Sequence, residues 1–459
     1  LQQAIKFDIE LINRYDKAGP RYTSYPTALE FHDQFNEDDY RRHIMLSNKK
    51  GGPLSLYFHI PFCDTVCFYC ACNKIITKNR QHAVPYLQHM HKEIAVLGAL
   101  FDKERVVDQL HWGGGTPTFL SFQQMKELMD VTRQHFTLRD DDSAEYSIEI
   151  DPREASVETI VQLRELGFNR LSLGVQDFDP AVQKAVNRIQ TEEQTFSILE
   201  VARREGFRST NIDLIYGLPL QTVTSYAKTL DKVLSVKPER LSVFNYAHLP
   251  GMFKVQRQIN EADMPNSEEK LDILQMVTQR LLQEGYIYIG MDHFAKPDDE
   301  LAIAQREGKL HRNFQGYSTH SECDMVGFGM TSIGRVGDAY IQNAKELTTY
   351  NDHLTHGRLP VFKGLELNSD DKLRQAIITQ LICHFELNYA AIEQAYGIVF
   401  ADYFSQQLVQ LRVMEQDGLL QMTDQGIYVK AAGRLLIRNI CMVFDRYLGQ
   451  KKKQFSKVI

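Results

Sequence analysis

The sequence predicts an α/β fold built on a parallel sheet, either open and doubly wound or closed as a full or partial (β/α) barrel, and three observations carry that prediction. From Leu54 onward short β-rich runs alternate with longer amphipathic ones, unusual polar residues collect just past the strand runs, and after about residue 365 the alternation gives way to helices. In chain order the strand runs are LSLYFHI, RVVDQLHW, EYSIEID, NRLSLGV, STNIDLIYG, ERLSVFNY and YIYIGMD. Between them AVPYLQHMHKEIAVLGALF, SFQQMKELMDVTRQHF, SVETIVQLRELGF, TFSILEVARREGF, YAKTLDKVL and SEEKLDILQMVTQRLLQEG repeat apolar residues at helical spacing. Six or seven βα units in succession place the chemistry at the carboxyl ends of the strands.

The stretches just past those ends are HIPFC, HWGGGTPT, EIDPRE, GVQDF, DLIYGLP, NYAHLP and MDHFA. Turn chemistry accounts for their glycines and prolines. It does not account for the repeated Glu, Asp, Gln, His and Tyr. The first fifty residues are polar and mixed, with GPRYTSYPTALEF at 19–31 as their distinctive passage, and read as an extended arm. Beyond residue 365, DDKLRQAIITQLICHF, YAAIEQAYG and YFSQQLVQLRVMEQDG read as helices. A short strand, a DQG turn, a second short strand and a final helix follow, which suggests a small winged-helix-like domain.

A chain of 459 residues has room for one catalytic domain of about 250–300 residues and a smaller one. Its formal charge of −7, from 52 basic and 59 acidic residues, argues against a nucleic-acid-binding surface spread over the whole protein. The basic run KKKQFSK at 451–457 reads as a solvated terminus. No run of about 18 apolar residues and no basic-then-apolar leader pattern is present, so the expectation is a soluble, cytoplasmic protein with no membrane span.

Of seven cysteines, four fall within FCDTVCFYCACNK, at Cys63, Cys67, Cys70 and Cys72. The spacing C-x3-C-x2-C, with one further cysteine two positions on, matches neither the paired segments of a structural zinc site nor a two-cluster ferredoxin. Three thiolates on a tight loop can hold three irons of a cubane and leave the fourth iron an open position, as a catalytic centre requires. Spacing alone leaves Cys72 open as a ligand.

C-x3-C-x2-C, with Tyr69 before the third cysteine, resembles the signature of the radical S-adenosylmethionine (SAM) superfamily. Cys70-Ala71-Cys72 together with GPRYTSYPTA, HWGGGTPT, GVQDF, NIDLIYGLP, FNYAHLP, MDHFA and HRNFQGY (311–317) resembles the oxygen-independent coproporphyrinogen III oxidases over essentially the whole chain, to the C-terminal RLLIRNICM and QFSKVI. Alanine at 71, where glycine is typical of enterobacterial members, is a minor departure.

The resemblance implies a radical SAM partial (β/α) barrel over 51–364, an N-terminal arm over 1–50 covering the active site, and a small helical domain over 365–459. It implies a [4Fe–4S] cluster on Cys63, Cys67 and Cys70, with Cys72 beside it and off the iron. It assigns Tyr57, Gly114, Glu149 and Ile333 to the SAM on the cluster, and Tyr69, Gly115, Thr116, Gln176, Arg188, Asp213 and Ala247 to a second SAM. Glu149 suits a ribose diol, Arg188 a carboxylate, and Asp213 an amino group or ribose. Tyr57, Cys72, Arg21 and Gln315 are the expected catalytic contacts, with Tyr22, Tyr25 and Arg312 as further wall of a substrate cavity. His59, His111 and His293, at strand ends, read equally as packed or supporting histidines.

The implied reaction is anaerobic decarboxylation of two propionates of coproporphyrinogen III to vinyl groups through a 5′-deoxyadenosyl radical, giving protoporphyrinogen IX in heme biosynthesis. It calls for an electron donor such as a flavodoxin or ferredoxin system and for an electron acceptor whose identity the sequence does not specify, and a monomer is expected. Alternatives on the same scaffold are a heme chaperone and a heme-degrading, methyltransferase-like radical SAM enzyme.

Overall fold

A computed structural model describes residues 5–139 and 141–448; the basic run at 451–457 and the QFSKVI terminus lie outside them. The chain divides into two compact units, one of residues 31–266 and 322–366, the other of residues up to 30 with 267–321 and 367 onward.

The first unit is built on a sheet whose parallel strands are β1 (Leu54–Ile60), β2 (Val106–Gly114), β3 (Glu145–Ile150), β4 (Arg170–Gln176), β5 (Ser209–Tyr216) and β6 (Arg240–Asn245). Each pairs with the next in sequence, the neighbour order of a partial (β/α) barrel. On the other side of β1, β7 (Asp324–Phe328) pairs in parallel, and β8 (Ile333–Val336), β9 (Ala339–Asn343) and β10 (Val361–Glu366) continue antiparallel. The helix starts are written in the sequence. Ser121, Ser156, Thr191 and Thr222 each cap a helix and close a reciprocal box with the residue three positions on.

Along β3, β4 and β5 burial alternates residue by residue. Ile148, Ile150, Leu171, Leu173, Ile212 and Leu214 are buried, while Ser147, Glu149, Ser172, Gly174, Asn211 and Asp213 keep access on the opposite face. The polar residues that the period of two places on that face become the lining of the site.

The first fifty residues, expected to be extended, contain a helix at Ile9–Tyr15 and a fourteen-residue helix at Glu37–Lys50. Asn36 and Asp39 close a capping box on the second, whose first turn is acidic and whose last carries Lys49 and Lys50. The seventh strand run also departs from expectation. Ile287–Gly290 turns at Met291 and pairs antiparallel with His293–Ala295, so this run forms a hairpin and not a βα unit, and His293 begins a strand.

That hairpin lies in the second unit, with helices Ser267–Gln283, Glu300–Arg306, Ser369–His384 and Ser405–Gln416. Strands Leu420–Met422 and Gly426–Val429 flank the DQG turn as expected, and a third strand, Glu386–Asn388, pairs on the far side of the second. The arm residues of this unit are tied down by polar contacts. Buried Arg438 donates to the carbonyls of Gly19 and Pro20, Tyr22 donates to Asp445 at 3.0 Å, and Gln375 donates to the carbonyl of Tyr25 at 2.8 Å. Among the described residues no helix is long and apolar enough to cross a membrane.

In the first unit, Glu93 of helix Ala83–Leu100 is fully buried and accepts from Gly329 N–H at 2.8 Å, Asn343 Nδ2 at 2.6 Å and Tyr350 Oη at 2.6 Å. Burial outweighs these bonds and raises its carboxyl from 4.5 to about 7. Between those values the folded chain holds a proton that the unfolded chain has lost, so stability falls as pH rises through the window. Urea denaturation at pH 5 and pH 8 is expected to show wild type losing up to about 3 kcal/mol relative to Glu93→Gln between the two. No relative change would show that Glu93 does not titrate there.

Candidate active site

β1 runs through Pro61 into a short strand, Phe62–Cys63, paired in parallel with Ile75–Ile76, and the four-cysteine loop is the excursion between them. Its base is held by the backbone. Ile75 N–H donates to Pro61 O at 2.7 Å, Thr77 N–H to Cys63 O at 2.9 Å, and Cys70 N–H to Cys67 O at 3.2 Å. Arg80 grips Asp64 at 2.6 Å and Glu154 at 3.0 Å, with its guanidinium 4.0 Å from the centroid of the Phe119 ring. On the far side, Phe68 N–H donates to Val186 O at 3.0 Å and Asn187 Nδ2 to Val66 O at 2.8 Å. Phe68 and Tyr69 pack on an apolar cluster of Val182, Val186, Leu218, Tyr246 and Ile259.

Next to this loop runs the glycine triplet at the end of β2. Gly115 N–H donates to Ile60 O at 2.7 Å, and Thr116 N–H to Phe62 O at 2.8 Å. A Cβ at Gly115 would lie 2.7 Å from the backbone of Pro61 and Phe62, and one at Gly114, whose φ is +117°, 2.7 Å from the His59 ring. Close approach therefore requires glycine at 114 and 115, beyond the turn chemistry that the sequence offered for them.

The sulfur atoms meet hydrogen-bond donors. Thr116 Oγ1 lies 3.6 Å from Cys63 Sγ, and Arg153 Nη2 and Arg188 Nη1 each lie 3.4 Å from Cys67 Sγ. Asp151 joins the two arginines, at 2.6 Å from Arg153 and 3.0 Å from Arg188. Burial opposes its ionisation, but the Arg188 and Arg153 charges hold its carboxyl down to about 2. A hydrogen bond with Cys72 and the nearby Lys74 ammonium bring the Cys70 thiol down to about 5. Burial pushes Cys63 up to about 11. Lys74 Nζ donates to the carbonyls of Cys70 and Cys72 at 3.1 and 3.4 Å. Cys67 is buried, Cys63 and Cys70 are half-buried and Cys72 is exposed.

Along the sheet the polar face forms a connected lining. Tyr57 stacks on His111 with centroids 5.8 Å apart and bonds His59 Nδ1 at 3.1 Å. His111 bridges Ser147 at 2.6 Å and Glu149 at 3.4 Å, and Gly114 N–H donates to the other Glu149 oxygen at 3.1 Å. Burial works against ionisation of Glu149, yet His111 and the Gly114 amide hold its carboxyl below the usual range, while the side chain stays 47% exposed and open to a ligand. Asn211 links Ser172, Asp213 and Ser242, and burial with the charge of Glu149 raises Asp213 to about 6. His59 is closed off between Tyr57 and the carbonyl of Asn73, and burial lowers its pKa. Two of the three strand-end histidines thus support neighbours, and His293 sits edge-on against Tyr317 in the second unit.

Most of the residues singled out from the sequence lie in the first unit along this face. Gln176 adopts φ +68°, and among the described residues its buried Oε1 has no partner, nor does Nε of Arg188. Arg188 also donates to the carbonyl of Gly174. The carbonyls of Ala247 and Tyr69 both accept from Gln256, at 3.3 and 3.0 Å. Ile333 starts β8 opposite Gln342. Arg21 and Gln315 belong to the second unit, where Arg21 pairs with Asp292 at 2.8 Å and Gln315 closes the turn of the hairpin His311–Asn313/Gly316–Ser318. Sequence reasoning missed Asp151, Arg153, Ser172 and Asn211. The strand-end stretch EIDPRE held a signal for the first two. These donors suit anionic sulfur, and the unpartnered Gln176 and Arg188 atoms suit a polar ligand, so the site fits a thiolate-held cluster with a nucleoside-bearing cofactor.

Residues 57–233 match the radical SAM superfamily, and residues 367–436 match the HemN C-terminal domain. The chain is 55% identical over 456 residues to the oxygen-independent coproporphyrinogen III oxidase of Pseudomonas aeruginosa, covering 99% of each, and 52% identical over 459 residues to that of Escherichia coli, covering 100% and 99%. A solved structure of coproporphyrinogen III oxidase (HemN) from Escherichia coli, a radical SAM enzyme, superposes with a TM-score of 0.93 at 50% identity, over 97% of this chain and 100% of that one.

Gly115→Ala is expected to lower stability by about 2–3 kcal/mol in urea denaturation, because the added carbon meets backbone that cannot turn aside. Gly251→Ala, with nothing within 4 Å, is the control and should change stability by less than about 0.5 kcal/mol. Equal, small effects at both positions would show that the two loops are free to separate.

Proposed function

Because the chain belongs to the oxygen-independent coproporphyrinogen III oxidases of the radical SAM superfamily, we propose that its polar sheet face and cysteine loop bind a cluster and SAM so as to convert two propionates of coproporphyrinogen III into vinyl groups, yielding protoporphyrinogen IX for heme biosynthesis. The observation that carries this reading is the loop of Cys63, Cys67 and Cys70 set against the glycine triplet and Glu149. The heme chaperone and heme-degrading readings are not favoured, since identity to the oxidases runs over 99% of the chain.

A [4Fe–4S] cluster and SAM are implied by the family. Cys63, Cys67 and Cys70 would hold the cluster, and Cys72 would stay off the metal, tuning Cys70 through the hydrogen bond between them. When bound, and reduced by a donor such as a flavodoxin or ferredoxin system, cluster and SAM supply the hydrogen-atom abstraction that no acid or base in the chain can perform on an unactivated propionate β-carbon. Tyr57, Gly114, Glu149 and Ile333 orient that SAM. The Glu149 carboxylate, kept ionised by His111 and Gly114, accepts from the ribose hydroxyls. Tyr69, Gly115, Thr116, Gln176, Arg188, Asp213 and Ala247 receive a second SAM, for which Gln176 Oε1 is an unused acceptor and Arg188 Nε an unused donor. Arg21 and Gln315 bind carboxylates of the substrate. The enzyme works as a cytoplasmic monomer, and an electron acceptor takes the second electron as carbon dioxide leaves each propionate.

Cys63→Ser, Cys67→Ser and Cys70→Ser are each expected to lose the iron and all turnover on anaerobic reconstitution, since three ligands leave no redundancy. Cys72→Ser should keep its iron and lose most turnover. Iron loss in Cys72→Ser matching that in Cys70→Ser would make it a ligand.

Coproporphyrinogen III deuterated at the propionate β-carbons, incubated anaerobically with reductant and SAM, should deliver label into 5′-deoxyadenosine. Protoporphyrinogen formed without label there would overturn the reaction proposed.

A further inference from the structure

The second unit contains a buried guanidinium with N–H groups left unspent among the described residues. Arg312, on the strand His311–Asn313, is 7% exposed, and among the described residues neither its Nε nor its Nη1, both buried, has a hydrogen-bond partner. Its guanidinium lies 4.7 Å from the Tyr317 ring centroid, which supports a cation but accepts none of these N–H groups in the manner of an oxygen.

The neighbouring charges do not relieve it. Arg21 is taken by Asp292 at 2.8 Å. Arg438 directs its N–H groups to the carbonyls of Gly19 and Pro20, and feels the like charges of both Arg21 and Arg312. Three residues along from Arg312, Gln315 keeps its Nε2 buried and unpaired, while its own N–H is bound to Asn313 Oδ1 at 2.9 Å. A buried cation without an acceptor is among the costliest arrangements a fold can keep, and a second orphan donor three residues away points to the same missing partner, an anion with more than one acceptor oxygen.

We infer that Arg312, assisted by the Gln315 amide, is a receptor for a carboxylate of the tetrapyrrole, and that it holds one of the two propionates that survive the reaction. The inference rests on the substrate proposed above and adds which carboxylate is gripped. A guanidinium fork matches a carboxylate geometrically and in charge. That same pairing stabilises the carboxylate and opposes its departure as neutral carbon dioxide, so a receptor of this kind suits a propionate that stays and would slow one that leaves.

The product keeps the two surviving propionates and has lost the other two, which separates the possibilities. Fluorescence titrations of the cluster-loaded, SAM-bound enzyme with coproporphyrin III, protoporphyrin IX and coproporphyrin III tetramethyl ester compare wild type with Arg312→Gln. The variant is expected to bind the first two porphyrins more weakly by the same factor, roughly 10- to 100-fold, and the ester unchanged. Weakening for coproporphyrin III alone would assign Arg312 to a reacting propionate and overturn the inference. Unchanged affinity for both acids, or an equal loss for the ester, would overturn the receptor. If Arg312→Gln fails to fold or to load iron, Arg312→Lys, which keeps the charge but loses the planar fork, goes through the same titrations and is judged by the same outcomes. Turnover of coproporphyrinogen III by wild type tests the proposed reaction separately, so a wild type that turns over beside a variant that binds normally locates the failure in the receptor alone.

Discussion

The close approach of Gly115 to the backbone of Pro61 and Phe62 sets the position of everything else at the cysteine loop. Two loops that leave adjacent parallel strands are joined there by the amides of Gly115 and Thr116, at 2.7 and 2.8 Å from the carbonyls of Ile60 and Phe62. Hydrogen bonds this short across side-chain-free backbone leave no room for one loop to shift against the other. From that join Thr116 reaches Cys63, and Gly114 directs its amide at Glu149. The thiols and the carboxylate on β3 are thereby referred to one rigid frame, which is what a site holding two components in fixed relation requires.

Charge balance is the second constraint. Four thiols crowded on one loop sit among cations, and packing Arg153 and Arg188 against a single sulfur brings two guanidiniums together. Asp151 resolves the conflict by pairing with both, and their charges outweigh its burial and hold its carboxyl down to about 2. Arg188 then has Nη1 on Cys67 and Asp151, Nη2 on the carbonyl of Gly174 and Nε unspent. The same residue both steadies the sulfur and offers a donor to a ligand. Lys74 adds a further positive charge through the carbonyls of Cys70 and Cys72. Across the sheet the balance runs the other way, with Asp213 raised to about 6 partly by the charge of Glu149, so that these two carboxyls on one face need not both be ionised at neutral pH to the same extent.

Much of the first unit was legible because its signals are local. Six of the seven strand runs became parallel strands, since the period of two acts within a few residues, and the capping boxes at Ser121, Ser156, Thr191 and Thr222, though not read beforehand, are equally local. The failures share a cause. YIYIGMD has the composition of a strand like the others, but Met291 at φ +52° turns the chain back on itself, and the antiparallel pairing with His293–Ala295 is made by a partner that composition does not announce. In the first fifty residues the helices Ile9–Tyr15 and Glu37–Lys50 were missed, and the carbonyls of Pro20 and Tyr25 are bound by Arg438 and Gln375, hundreds of positions away.

By itself the sequence determined the parallel sheet, the face of each strand that would be polar and the cysteine spacing, because each depends on neighbours in the chain. Only the tertiary structure decided that Arg188 and Arg153 converge on Cys67 with Asp151 between them, that Glu149 is held ionised by His111 and the Gly114 amide, and that Arg312 is left buried with no acceptor among the described residues. The physical reason is that electrostatic roles are set by distance and desolvation. Both come from strands and loops brought together across tens to hundreds of residues, where no local pattern records which charge will meet which.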